Sequence, residues 1–307
     1  MSKIQMDSTL LRATISRHPQ THLKKSGLTM LFRLSLPLLL VASLLLTTAC
    51  GPDDPDPRDP TEVTLGETTF VVVVNPTVND INEPNMPAPG SERSGVTIEA
   101  SSLSVQTGEE GVAVLGPVES GQVELEFRSQ TIDAALTQTI SNRDLVEVAA
   151  AVADDGAREM ARVIYAFGGT VVEISPEDSS DDVSDALSGS NQIVLLSEGT
   201  YTGDLDLSGS EVTLFGAGAT GGRVVIDGNV TISGSGNRIR GAHITGDLEV
   251  GGSTTGISFS TIDGDVEISG SDTVLLQNSF CGLISIGGSD TIALGNQGLA
   301  PLDADCE

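Results

Sequence analysis

Basic residues are what this sequence has least of. Its 307 residues include 15 Lys and Arg against 43 Asp and Glu, for a formal charge of −28. No lysine follows Lys25, and His243 is the one histidine after His22. So acidic a chain excludes nucleic acid and bare anionic lipid as partners, because both are held through clustered Lys and Arg. Cations, basic proteins and neutral or cationic glycans remain. The single late histidine, with no triad in view, also leaves nucleophilic hydrolysis of the Ser-His-Asp type without its parts.

One long apolar run is present, MLFRLSLPLLLVASLLLTTA from Met30 to Ala49. Arg33 gives it a positive start, and small residues precede Cys50, which is the grammar of a secretory signal and not of a membrane span. Leu46-Thr47-Thr48-Ala49-Cys50 resembles the lipobox of bacterial lipoproteins, with Thr47 where leucine is usual. The resemblance implies cleavage before Cys50 and diacylglycerol on its sulfur. The following GPDDPDPRDP, in a tether spanning 50–63, combines helix-breaking prolines with repelling aspartates, as expected of an extended spacer. Residues 1–29 precede a plausible start at Met30 and read as a gene-start artefact. Cleavage at Cys50 leaves nine arginines against 42 acids, a mature charge of −33. Gly51 after the lipidated cysteine resembles the outer-membrane sorting pattern, which implies a cell-envelope location on an undetermined face. Cys281 and Cys306 are then left as a pair in an oxidising compartment, bridged or as two free thiols.

The remaining length suffices for two cores. From 64 to 169, short alternating or apolar runs (TTFVVVV, GVTIEASSLSV, GVAVLG, GQVELEF, LVEVAAAV) are broken by turn residues, which predicts an antiparallel β-sandwich. Thr107-Gly-Glu-Glu-Gly-Val-Ala-Val-Leu-Gly followed by Gly121-Gln-Val-Glu-Leu-Glu-Phe resembles carboxypeptidase-regulatory or transthyretin-like modules, which present or space a neighbouring domain. Asp155 to Tyr165 fits a strand or a short helix, with the strand favoured.

From 170 to 296 the sequence repeats. Gly-Ser recurs at Gly209, Gly234, Gly252, Gly270 and Gly288, with one Gly-rich insertion, Gly216 to Gly222, lengthening the first interval of an 18-residue unit. Apolar columns stand in register: Tyr201, Ile226, Ile244, Ile262, Phe280; Leu205, Val230, Leu248, Val266, Ile284; Leu207, Ile232, Val250, Ile268, Ile286; Leu214, Ile239, Ile257, Leu275, Ala293. Stacking such units about 4.8 Å apart turns each column into a core ladder, and the recurring glycines are expected to supply turn conformations. Unequal intervals of five, six and seven argue against a left-handed hexapeptide helix, and no GGxGxD series occurs. The prediction is a short right-handed parallel β-helix in an all-β protein. Ser175-Pro-Glu-Asp predicts the start of a helix whose face Val183, Ala186, Leu187 caps the open end. A tail spans 297–307. Gln192 to Gly228, with its VVIDG, resembles the first coils of pectate-lyase-type β-helices, a superfamily that includes enzymes, adhesins and structural rods.

Chemistry is thin on these coils. After Gly169 the bases are Arg223, Arg238, Arg240 and His243. Arg238 and Arg240 flank inward Ile239 and are expected to point outward at a solvated edge; either is the base required by the alternative reading, a uronate-lyase-like enzyme. Gly-His-Gly and paired-aspartate signatures of polygalacturonases are missing. Gly216-Ala-Gly-Ala-Thr-Gly221 matches GxGxxG, but a strand-like Arg223-Val-Val-Ile follows where a nucleotide site needs a helix. The columns Asp204, Asp247, Asp265 (with Asn229) and Glu249, Glu267 (with Asp206) form an acidic stripe, a candidate for Ca²⁺ or a cationic partner. No cofactor is expected. The function expected is a monomeric, non-enzymatic binding or structural module of the envelope whose partner is a glycan or another envelope protein.

Overall fold

Alternating apolar positions become strands along nearly the whole chain. The computed structural model describes residues 67–81, 86–178, 180–216 and 223–298, and these hold 26 strands and one helix. The expected leader, Cys50, its tether and Cys306 lie outside the described residues.

The first ten strands are β1 (Thr69–Val74), β2 (Val78–Ile81), β3 (Thr97–Ala100), β4 (Leu103–Gln106), β5 (Val112–Leu115), β6 (Gly121–Arg128), β7 (Asp133–Ile140), β8 (Asp144–Ala153), β9 (Gly156–Ala166) and β10 (Thr170–Ile174). Eight of them form two four-stranded sheets, ordered β5-β1-β8-β9 and β4-β3-β6-β7. Phe70, Val72, Val74, Val146 and Val148 of the first sheet meet Ile98, Leu125 and Phe127 of the second in one buried cluster. The second sheet is antiparallel. In the first, β1 runs parallel to β8, contrary to the antiparallel expectation; six strands intervene between them, so no hairpin imposes their direction. The segment Asp155 to Tyr165 lies in β9 from Gly156 on, as favoured.

Next come α1 (Ser180–Ser188) and β11 (Gln192–Leu196), then five coils of three strands. These are β12 (Gly199–Thr202), β13 (Leu205–Leu207), β14 (Thr213–Phe215); β15 (Val224–Asp227), β16 (Val230–Ile232), β17 (Arg238–Arg240); β18 (His243–Ile244), β19 (Leu248–Val250), β20 (Gly256–Ser258); β21 (Thr261–Ile262), β22 (Val266–Ile268), β23 (Val274–Leu276); β24 (Ser279–Phe280), β25 (Ile284–Ile286) and β26 (Ile292–Leu294). Each coil gives one strand to each of three sheets, β12-β15-β18-β21-β24, β13-β16-β19-β22-β25 and the long β10-β11-β14-β17-β20-β23-β26-β2. Register follows the sequence columns: Leu214 pairs with Ile239, Ile239 with Ile257, Ile257 with Leu275 and Leu275 with Ala293, all parallel. The column residues Ile226, Ile244, Ile262 and Phe280, with Val230, Leu248 and Val266, fill a single buried core.

The glycine column is required by close approach of neighbouring coils, not by backbone angle. A Cβ on Gly234, Gly252, Gly270 or Gly288 would stand 1.7–1.9 Å from the carbonyl oxygen of the glycine one coil earlier. The left-handed conformation falls two places on, at Glu211, Gly236, Thr254, Asp272 and Asp290, with φ between 54° and 72°. The expectation that these glycines serve as turn formers is corrected accordingly.

The two ends of the coil stack are finished differently. Val183, Ala186 and Leu187 of α1 join the coil core, as the helix face requires, although α1 begins at Ser180 and not at Ser175. Asp178 Oδ2 accepts the Ser175 N–H at 2.7 Å while the Asp178 N–H bonds the Ser175 carbonyl, closing a turn that holds Ser-Pro-Glu-Asp out of the helix. At the far end, β2 reaches across from the N-terminal region and pairs antiparallel with β26.

The outer face of the long sheet is covered by the first four-stranded sheet. Val71, Leu145, Val163 and Tyr165 meet Ile193 and Phe215, and Val73, Ala149, Ala151 and Met160 meet Leu276 and Leu294. β8 is therefore buried on both faces along nine of its ten residues. All described residues fall in one compact unit, Asp53–Glu307.

Candidate functional site

The acidic stripe lies on the turn leading into the middle sheet, where it works as a ladder. Asp204 Oδ1 accepts the Asn229 N–H at 2.8 Å, Asn229 Oδ1 the Asp247 N–H at 2.8 Å, Asp247 Oδ1 the Asp265 N–H at 2.8 Å, and Asp265 Oδ1 the Leu283 N–H at 2.9 Å. Asn229 does the same work as its neighbours, so the ladder bond is made by an Oδ1 acceptor on Cγ, charged or neutral. Glu249 and Glu267 pair in register on the neighbouring strands, both exposed. Among the described residues no three His, Cys, Asp or Glu side chains converge to hold a metal ion. The calcium reading of Asp204, Asp247, Asp265, Glu249 and Glu267 thus has no supporting geometry there.

A second ladder, unanticipated, runs inside the corner between the long sheet and the next. Ser260 N–H donates to Asn278 Oδ1 at 3.0 Å, Asn278 N–H to Asn296 Oδ1 at 2.8 Å, and Asn296 N–H to Asn79 Oδ1 at 2.8 Å. Asn278 Nδ2 also donates to the Ile257 carbonyl at 2.9 Å. The side-chain amides satisfy backbone groups that a sharp corner leaves unpaired.

Arg238 and Arg240 do project outward from β17, but onto a covered face. Arg240 is fully buried, and its Nε lies 2.6 Å from Oε1 of Glu147, equally buried, on β8. Tyr165 donates to the other Glu147 oxygen at 3.2 Å and is hydrogen-bonded to Ser258. The guanidinium is flanked by Phe215 and Phe259, 5.2 and 5.0 Å from the ring centroids. Burial, with the Glu147 charge beside it, pushes the Tyr165 phenol well above its ordinary range. Arg238 is half-buried and donates to the Gly236 carbonyl at 2.6 Å; burial lowers its pKa. The expectation of a solvated edge fails for Arg240 because β8 and β9 cover that edge.

His243 is held at both nitrogens. Its Nε2 is 2.7 Å from Asp263 Oδ2, and its Nδ1 meets the Arg223 guanidinium. Since a guanidinium only donates, Nδ1 accepts and Nε2 carries the proton given to Asp263. Both nitrogens are thus engaged by charged side chains. Gly216 donates its N–H to the Arg240 carbonyl at 2.7 Å; residues 217–222 lie outside the described residues, and strand β15 follows in place of a nucleotide-binding helix.

No family model, curated protein or solved structure matches the chain. Of the expected site residues, Cys281 is disulfide-bonded, while Cys50 and Cys306 lie outside the described residues. Glu147 and Tyr165 were missed in the sequence. The signal was a ten-residue apolar stretch, DLVEVAAAVA, too continuous for a strand with one wet face; a lone glutamate inside it needed a buried cation.

Proposed function

We propose that the chain is an exported bacterial lipoprotein, tethered through Cys50 to the outer membrane, that presents a short right-handed parallel β-helix on a β-sandwich as a non-enzymatic module of the cell envelope. The β-helix reading is supported by the passage of each coil through three sheets in turn, and its hand by the near-universal right-handedness of parallel crossovers. The sandwich reading rests on the core shared by the two four-stranded sheets.

The observation that carries the non-enzymatic reading is the use of the arginines. Arg240 is committed to Glu147 in a dry interface, and Arg238 lies half-buried beside it, so neither residue stands as a base over an open carboxylate-lined groove. The outward columns of the sheet β13-β16-β19-β22-β25, with Asp206, Glu249 and Glu267 exposed, are left as an acidic surface suited to a neutral or cationic glycan or to an envelope protein. Incubating the purified chain with polyuronates and neutral glycans tests this. No product is expected, and turnover abolished by Arg238→Ala would overturn the reading in favour of a lyase.

A further inference from the structure

Among the described residues the long sheet has one end closed by β2 and the other open at β10, whose one strand neighbour is β11. In the parallel register, the Thr170 N–H donates to the Asn191 carbonyl at 3.2 Å and the Ile174 carbonyl accepts the Ser197 N–H at 2.9 Å. Thr170, Val172 and Ile174 therefore turn their backbone groups toward β11. By strand alternation, Val171 and Glu173 present theirs at the open edge. Val171 is also one of two large apolar side chains left exposed among the described residues, at 49%.

Beside this edge, between β10 and α1, lies a cavity of about 470 Å³. Val172, Ile174 and Ala186 line its apolar part, and four acids, Glu173 and Asp185 among them, line it with no base. Gln192 lines it too, and its buried Oε1 accepts no hydrogen bond. An unpaired strand edge recruits an extended segment through backbone hydrogen bonds, with side-chain pockets giving selectivity. Here the pocket selects for positive charge over an apolar floor. A second copy of the chain, carrying −28 itself, is repelled from such a surface.

We infer that the open edge of β10 and the groove beneath α1 form a docking site for an extended, basic segment of a partner protein, which adds to the long sheet as its next strand. The inference does not depend on lipidation at Cys50 or on the absence of catalysis.

Fluorescence anisotropy of the full chain with a labelled Lys-Val-Arg-Val-Lys-Val-Arg peptide tests the site, alongside its Glu-Val-Asp-Val-Glu-Val-Asp counterpart. Val171→Pro removes the edge donor while sparing the β11 ladder; Glu173→Gln with Asp185→Asn removes charge. The expected result is saturable binding of the basic peptide alone, weakened at least tenfold by either variant. Melting curves matching the parent establish that both variants fold, and exchange protection of the Val171 and Glu173 amides on binding locates the peptide. Absence of saturable binding overturns the proposal. So does binding that survives Val171→Pro, which means adsorption by charge alone, or self-association of the chain through β10.

Discussion

Replacing Arg240 by methionine removes the one cation facing Glu147 in an interface that both side chains share at zero exposure. The remaining carboxylate would stay dry with the Tyr165 hydroxyl as its donor. Breaking one partner of a buried pair costs about 3–5 kcal/mol, because the surviving charge keeps its desolvation penalty. Loss of the contacts with Phe215 and Phe259 adds to this, at roughly 0.5–2 kcal/mol for a desolvated cation–π pair. Replacing both residues, Arg240→Met with Glu147→Leu, should instead be neutral or stabilise by about 1–4 kcal/mol, since apolar side chains fill the volume without a charge to desolvate. Equilibrium unfolding in guanidinium chloride measures both variants through the shift of the midpoint at constant slope. A cost under about 1 kcal/mol for the single variant would make the pair a surface pair, since those are worth that little. It would mean that water reaches Arg240 and that β8 and β9 do not seal the long sheet.

Thr254 holds a left-handed φ of 57° at a column place where the coil before it has Gly236. Thr254→Gly should therefore raise stability by about 1 kcal/mol in thermal unfolding, the cost of a β-branched residue in that region outweighing the entropy gained by the unfolded glycine. Asn278→Ala removes an acceptor for Ser260 N–H and a donor to the Ile257 carbonyl, and should destabilise by about 2–4 kcal/mol for two buried groups left unpaired. The two tyrosines of the chain, Tyr165 and Tyr201, both have raised pKa values, Tyr201 to about 12 through burial. A group whose folded pKa is raised stabilises fully below its unfolded value, so stability should hold to about pH 10 and fall as pH rises from there toward 12. Tyrosinate absorbance should then appear with unfolding, and ionisation near pH 10 in the folded protein would contradict the burial of these side chains.

Much of the repeat was legible because strict spacing leaves few arrangements: columns in register at 18 residues align only when coils stack. Tyr201, Ile226 and Ile244 needed no structure to be read as one ladder. What escaped was the covering of the long sheet, although the clue lay in the outward residues of the last coils. Val274, Leu276, Ile292 and Leu294 alternate with inward Leu275 and Ala293, so both faces of those strands are apolar and both must be buried. Attention to the inward columns alone left Arg238 and Arg240 looking like surface residues. β2 and β7 escaped for another reason. Val78 to Ile81 carries two polar residues in four and gains its order from β26, more than two hundred residues away, and DAALTQTI has weak alternation that only pairing with β6 organises. The acidic column was legible as a column but not as a ladder, because its spacing suits shared cations as well as it suits side chains that accept from backbone amides one coil on.

Mass spectrometry of the N-terminal peptide of the protein recovered from membranes tests lipidation at Cys50. The expected peptide begins at Cys50, continues Gly51-Pro52-Asp53, and carries the mass of a diacylglyceryl group on the cysteine sulfur. Recovery of an unbroken peptide running through Thr48, Ala49 and an unmodified Cys50 would contradict lipidation.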